Sequence, residues 1–463
     1  MSADRAILVG VELKGKKSTW TIQDSLEELG RLARTAGLSV VGRTWQKLAS
    51  PDPSTWIGSG KLLEIVALMA ANNARYLLFD DELSPGQQRN LQKALGDQAR
   101  VIDRTRLILD IFSQHARSAE GKLQVELAQY QYLLPRLAGM RHGLAQQVGG
   151  TGAGPVGLRG PGETQLEVDR RQVRRRITAL RRALENVRTQ RGQHRRQRTR
   201  AGLPVIALVG YTNSGKSSLL NCLTGAGVLV QDKLFATLDP TTRRLILPGG
   251  REVLLTDTVG FIRKLPHELV AAFRATLEGI EEASLIINVV DASHRRAIEQ
   301  LSAVQSVLSS LRIGHTPQLM LWNKIDLVPR HGIPQLPGMF SDRSLEVSAR
   351  TGENIPAFLK EIERILAEGL TPVHLLVPYG RYELLTKLYE QGTVWSREET
   401  VKGVNIKAAV SAALRATLAA YVVSEEQEYG RDKGQRLHSR GECLLREAAG
   451  RKDSKGGASE DPS

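Results

Sequence analysis

The chain has 463 residues, of which 41% are hydrophobic and 24% charged. That is ordinary globular usage, and at roughly 100 to 200 residues per domain it predicts two to four domains and excludes a single small module. Lysine plus arginine outnumber aspartate plus glutamate by 64 to 49, a net charge of +15 that favours a polyanionic partner over an acidic one. The two cysteines, Cys222 and Cys443, lie far apart in sequence, which excludes a disulfide framework or a Cys-rich metal site and fits a reducing compartment. The apolar run Ala6 to Val11 is shorter than a signal-peptide core. The longest nearly apolar stretch, Ala408 to Val423, is interrupted by Ser411, Arg415 and Thr417 and falls short of the roughly 20 residues that span a bilayer. A cytoplasmic chain without a membrane span is therefore expected.

In chain order, residues 1–106 alternate strand-like runs (Ala6 to Leu13, Leu38 to Val41, Tyr76 to Phe79) with amphipathic runs (Ile22 to Ala36, Lys61 to Asn72), which predicts a small α/β domain. Residues 107–200 change character. Leu109, Phe112, Ala116, Ala119, Leu123, Leu127, Tyr130 and Leu134 recur every three or four positions, as one long helix would place them. A second stripe, Leu166, Val173, Ile177, Leu180, Leu184 and Val187, predicts its partner in a coiled-coil hairpin. Between them, residues 139–162 form a loop with seven glycines from Gly149 to Gly162, longer than a structureless connector usually is. It carries Arg141, His142 and Arg159.

Residues Arg170 to Arg200 hold thirteen arginines and one acid, Glu185, and so supply +12 of the net +15. Surface helices ordinarily mix signs because like charges four apart repel, and arginine suits bidentate phosphate contacts and stacking on bases. RNA becomes the leading partner class, with Arg159, Arg170, Arg171, Arg174, Arg175, Arg176, Arg181 and Arg182 as candidate contacts. Residues 201–370 then read as a doubly wound α/β domain with one antiparallel edge hairpin around Pro248-Gly249-Gly250. Residues 371–424 read as a small α+β domain with strands Val373 to Val377 and Val404 to Val410, and residues 425–463 as a disordered charged tail.

The chemistry concentrates in the doubly wound domain. Gly210-Tyr211-Thr212-Asn213-Ser214-Gly215-Lys216-Ser217 follows an apolar strand and opens a helix that continues through Ser218, the context a P-loop requires. Backbone N–H groups would wrap the phosphates at the helix N-terminus, Lys216 would lie near the β- and γ-phosphates, and the Ser217 hydroxyl would ligate Mg²⁺. Asp257-Thr258-Val259-Gly260 ends another strand, where Asp257 can hold a water on Mg²⁺ and the Gly260 N–H can face the γ-phosphate. Asn323-Lys324-Ile325-Asp326 ends a third, with Asp326 suited to the N1–H and N2–H₂ donors of guanine and Asn323 to N7. Ser348-Ala349-Arg350 offers backbone N–H groups to O6. A site built on such hydrogen bonds rejects adenine, so a GTPase with a P-loop fold is expected. By contrast Gly58-Ser59-Gly60-Lys61 lacks the leading glycine and the metal hydroxyl and reads as a turn and helix start.

Phe235-Ala236-Thr237-Leu238-Asp239 sits where switch I belongs. With Gly160-Pro161-Gly162-Glu163-Thr164-Gln165-Leu166-Glu167, Trp56 to Lys61, and Val377-Pro378-Tyr379 with Leu384-Leu385, the chain resembles the HflX family of ribosome-associated GTPases over residues 1–424. The resemblance implies an N-terminal α/β domain, a helical hairpin, a G domain and a small C-terminal domain. It further implies binding of GTP and GDP, of the large ribosomal subunit and its rRNA, and GTP-dependent splitting of stalled or stress-damaged ribosomes; a monomer is expected, although no residue pattern fixes the oligomeric state. A motif match makes Thr237 the second Mg²⁺ hydroxyl, with Thr241 and Thr242 as competitors. Asn213 stands where some related GTPases hold K⁺. Phe261 stands where Ras-like enzymes place a glutamine, so slow intrinsic hydrolysis is expected and no catalytic group is assigned. A large-subunit assembly or anti-association factor shares all these motifs. An ATP-driven RNA helicase gains nothing from residues 1–106, which hold no second P-loop.

Overall fold

The computed structural model describes residues 4–15, 20–139, 165–201, 203–225, 234–235, 237–264, 279–311, 313, 316–328, 343–368, 370–410 and 412–424. Arg141, His142 and Arg159 of the glycine loop, Ala236, and residues 425–463 lie outside them. The chain divides into two compact units, Met1–Leu247 with Glu252–Ile365, and Pro248–Arg251 with Leu366–Ser463.

The first unit begins with a parallel sheet ordered β2-β1-β3-β4, built from β1 (Arg5–Leu13), β2 (Ser39–Leu48), β3 (Tyr76–Phe79) and β4 (Arg100–Asp103). The crossovers are α1 (Ile22–Thr35), α2 (Ser59–Ala71) and α3 (Pro85–Leu95). Thr21 closes a capping box with Asp24 on α1, and Gly58 caps α2, so the Gly58 to Lys61 segment is a helix start. The long helix expected from Leu109 onward is two helices, α4 (Arg104–His115) and α5 (Ala119–Leu133). The apolar spacing runs through the break, but Ser118 turns its hydroxyl onto the Gly121 N–H and starts a new helix. On the other arm α6 (Gln165–Ala201) packs Ile177 and Leu180 against Leu127 of α5, flanked by Leu123, Tyr130 and Val173.

The second sheet is ordered β10-β9-β8-β5-β7-β6 and comprises β5 (Val205–Gly210), β6 (Thr241–Ile246), β7 (Glu252–Asp257), β8 (Leu285–Asp291), β9 (Gln318–Asn323) and β10 (Ser344–Glu346). Only edge strand β6 is antiparallel, as the hairpin at Pro248-Gly249-Gly250 predicts. Helices α7 (Lys216–Thr224), α8 (Ala297–Leu308) and α9 (Ile355–Ala367) complete the doubly wound pattern. Strand order reverses at β5, so the loops after β5 and β8 open at a topological switch point. One core runs through both sheets of this unit, joining Leu8, Leu29, Leu107 and Phe112 to Tyr211, Phe235, Leu238 and Phe261.

The second unit contains β11 (Thr371–Val377), α10 (Tyr382–Gln391), β12 (Thr393–Thr400), β13 (Gly403–Val410), α11 (Ala412–Leu418) and β14 (Val422–Ser424). Its antiparallel order β12-β13-β11-β14 is that of a split βαβ fold, closed by Val373, Leu375, Leu388, Ile406 and Leu418.

Candidate nucleotide site

The residues expected on the phosphates converge where β5 meets α7. Gly210 has φ +155°, and a Cβ there would stand 2.3 Å from the Val289 carbonyl oxygen; Gly215, at φ +94°, caps α7. Both positions therefore require glycine. Lys216 is buried, and its Nζ donates to the carbonyls of Tyr211 at 2.8 Å and Gly210 at 3.2 Å. Burial pushes its ammonium down to about 8, against the opposing pull of Asp257.

Three hard oxygens meet beside it. Ser217 Oγ donates to Asp257 Oδ2 at 2.6 Å and lies 2.8 Å from Thr237 Oγ1. Asp257 is fully buried, which raises its pKa, and its Oδ1 has no hydrogen-bond partner among the described residues. An orphaned carboxylate oxygen beside two hydroxyls suits a small divalent cation, so Ser217, Thr237 and Asp257 fit Mg²⁺. Of the competitors, Thr242 Oγ1 faces Thr256 Oγ1 at 3.0 Å, and Thr241 is the register partner of Asp257 across β6 and β7.

At the far end of the cleft Ser348 Oγ donates to Asp326 Oδ1 at 2.7 Å, while the exposed Arg350 reaches Oδ2 at 3.1 Å. Asn323, expected on N7, uses its amide on the protein: Nδ2 donates to the Ser214 carbonyl at 2.9 Å and Oδ1 accepts from the Ala349 N–H at 3.0 Å. It thereby ties the P-loop to the loop after β10. Lys324 Nζ donates to the Asn213 carbonyl at 2.8 Å and pairs with Asp291 Oδ2 at 2.7 Å. Asp291 was not foreseen, although a carboxylate ending a buried strand is a readable signal.

Switch I is held differently from expectation. Phe235 stacks edge-on against Phe112 of α4 with ring centroids 4.6 Å apart, Leu238 is buried, and the Leu234 N–H donates to Thr35 Oγ1 at 3.3 Å. Asp239, expected on the nucleotide, instead accepts from the backbone N–H groups of Arg117 at 2.8 Å and Ser118 at 2.7 Å, and from the Ser118 hydroxyl. Its carboxylate occupies the start of α5, where helix N–H groups have no intrahelical acceptor. Losing such a cap costs about 1 to 2 kcal/mol. Asp239→Ala should thus lower the thermal midpoint of the first unit by about 1 to 3 °C in calorimetry, and an unchanged midpoint would refute the capping role.

A buried polar chain also reaches the P-loop from the N-terminal sheet. The Tyr211 hydroxyl donates to Glu28 and accepts from the Arg263 N–H at 2.8 Å; Glu28 pairs with Arg104, Arg104 with Asp80 at 2.9 Å, and Asp80 with Lys264. Burial alone would raise the Asp80 carboxyl, but Arg104 and Lys264 more than offset it and hold it near about 2. On α6, Arg171, Arg174, Arg175, Arg176, Arg181 and Arg182 are exposed and Arg170 is half-buried; Arg176 also pairs with Glu126 of α5.

A doubly wound sheet with a P-loop, a strand-end Asp257 and Asp326 at the far end of the cleft defines a P-loop GTPase. Four family models match in order: GTP-binding GTPase N-terminal over residues 23–113, GTP-binding GTPase Middle Region over 115–198, 50S ribosome-binding GTPase over 205–324, and HflX C-terminal domain over 339–423. The GTPase HflX of Caldanaerobacter subterraneus subsp. tengcongensis is 44% identical across 91% of this chain and 94% of its own, and that of Escherichia coli (strain K12) is 41% identical across 86% and 92%. A GTP-binding protein of Sulfolobus solfataricus, solved with GDP, covers 79% of this chain and 99% of its own at 24% identity and a TM-score of 0.41. The chain belongs to the HflX family, and it hydrolyses GTP to GDP and phosphate. Among the described residues no helix is long and apolar enough to cross a membrane.

Proposed function

We propose that this GTPase binds the large ribosomal subunit through its arginine helix and glycine loop, and that its nucleotide state drives the splitting or remodelling of stalled ribosomes. The observation that carries the reading is a continuous line of contact: Ser217 meets Thr237, Asp239 two residues on caps α5, and α5 packs on the arginine-rich α6. A change at the γ-phosphate that moves switch I therefore has a mechanical route to the RNA-facing hairpin. The family description of residues 205–324 as a 50S ribosome-binding GTPase supports the same partner.

In this reading Lys216 and the P-loop amides hold the β- and γ-phosphates, Ser217 and Thr237 ligate Mg²⁺ directly and Asp257 through water, and Asp326 reads guanine, while the Ser348 and Ala349 N–H groups are spent on Glu353 and Asn323. The Mg²⁺ would neutralise charge on the phosphates. Exposed Asn213, at φ +60°, holds K⁺ beside them, which hydrolysis measured in potassium and in sodium reads directly. Adding the protein with GTP to intact ribosomes and following sedimentation tests the function. GTP-dependent separation of subunits is expected; ribosomes that stay intact would leave the assembly or anti-association role.

Phosphate contacts by α6 make binding salt-dependent, each contributing a log–log slope of about 0.7 to 0.9. Replacing Arg174, Arg175 and Arg176 with Ser should flatten the slope for large-subunit binding by about 2 units. An unaltered slope and affinity would assign the helix to an intramolecular or solvated role.

A further inference from the structure

Phe261 follows Gly260 where a water-orienting amide would be useful, and its ring is buried in the core. Its backbone has another task. The Phe261 N–H donates to the Gly210 carbonyl at 3.0 Å and its carbonyl accepts from the Thr212 N–H at 2.8 Å, a bridge that fixes Thr212 beside Gly260. A Cβ on Gly260 would stand 2.9 Å from Thr212 Cα, 3.0 Å from its Cγ2 methyl and 3.1 Å from Lys216 Nζ, so Thr212 and Lys216 flank the same point. Thr212 is only 6% exposed, yet its hydroxyl has no hydrogen-bond partner among the described residues. Leaving a buried hydroxyl unpaired is unfavourable, and such a group is explained when a ligand completes it.

Resting on the P-loop assignment above, we propose that the Thr212 hydroxyl is a catalytic residue of GTP hydrolysis, hydrogen-bonding the attacking water and a γ-phosphate oxygen in place of the missing glutamine. A hydroxyl carries one donor and two acceptor sites, so it can accept from the water while donating to the phosphate. The water oxygen then bonds to the γ-phosphorus as the bond from that phosphorus to the β–γ bridging oxygen breaks. GDP leaves with the electron pair, and the water proton passes to a phosphate oxygen. Thr212 gains and loses no proton overall.

The test uses the full-length protein in single-turnover hydrolysis, with GDP binding measured separately. Thr212→Val keeps the shape and removes the hydroxyl, and should lower the hydrolysis rate by about 10- to 100-fold. GDP has no γ-phosphate, so its Kd should stay within about twofold. Thr212→Ser, which restores a hydroxyl, should recover most of the rate. Removing an unpaired buried hydroxyl should raise the thermal midpoint whichever role it has, so the rate decides: a merely structural hydroxyl would leave it unchanged. A wild-type rate in Thr212→Val overturns the proposal. If Thr212→Val lost GDP binding, Thr212→Ser would decide, and a Ser variant that binds GDP normally but hydrolyses as slowly as Val would also overturn it. Failure of the wild-type protein to bind GDP would instead overturn the P-loop assignment.

Discussion

Asp326→Asn is expected to cost the protein most of its affinity for GTP while improving its affinity for xanthosine triphosphate. The carboxylate is nearly buried, with Ser348 Oγ on one oxygen and only the exposed Arg350 on the other. An exposed arginine contributes little to such a pair and yields readily to guanine. Guanine offers two donors, N1–H and N2–H₂, and each hydrogen bond to a charged group is worth about 1.5 to 3 kcal/mol. Losing both amounts to about 3 to 6 kcal/mol, or about 10²- to 10⁴-fold. The new amide would point a donor at a donor. Xanthine carries a carbonyl at C2, which accepts from that amide, so its preference reverses. Competition of the two triphosphates against a labelled guanine nucleotide measures both arms, and an unchanged ranking would remove Asp326 from base recognition.

That prediction rests on local signals the sequence displays openly. The P-loop, Asp257 and Asn323 to Asp326 all follow apolar runs, because a parallel sheet buried on both faces writes its strands as continuous hydrophobic segments and ends them at the site; Ser348 instead follows the short, largely exposed edge strand Ser344–Glu346. What the sequence hides is pairing at long range. Tyr211 and Glu28 are 183 residues apart, and Asp239 and Ser118 are 121 apart. Nothing in the local spelling of either segment names its partner. The apolar residues at 116 and 119 also preserve a helical period across the break at Ser118, so periodicity alone joined α4 to α5. Strand β12 was missed for the converse reason: Thr393 to Thr400 reads TVWSREET, and most of it is exposed. An exposed edge strand leaves no apolar alternation to detect.

Lys216 should make GTP binding sensitive to pH in a range where an ordinary lysine would not. Its ammonium is pushed down to about 8 from 10.5, chiefly because it is buried, with Asp257 only partly restoring it. A triphosphate beside Nζ supplies the negative charge that burial lacks and brings the ammonium back towards the ordinary lysine range, so above pH 8 binding must take up a proton. The Kd for GTP should be nearly flat below pH 7.5 and weaken about tenfold per unit as the pH rises through 8 to 9. The stability of the free protein should respond with the opposite sign. Because the folded pKa lies below the unfolded one, the unfavourable burial of the charge is fully present below pH 8 and disappears as the pH rises towards 10.5, so this group adds stability with increasing pH. Titrating a fluorescent GTP analogue at pH 7, 8 and 9 tests the first slope, and calorimetry in two buffers of different ionisation enthalpy counts the proton. A Kd that stays level to pH 9 without proton uptake would mean that Lys216 remains charged in the free site, and that Asp257 outweighs its burial.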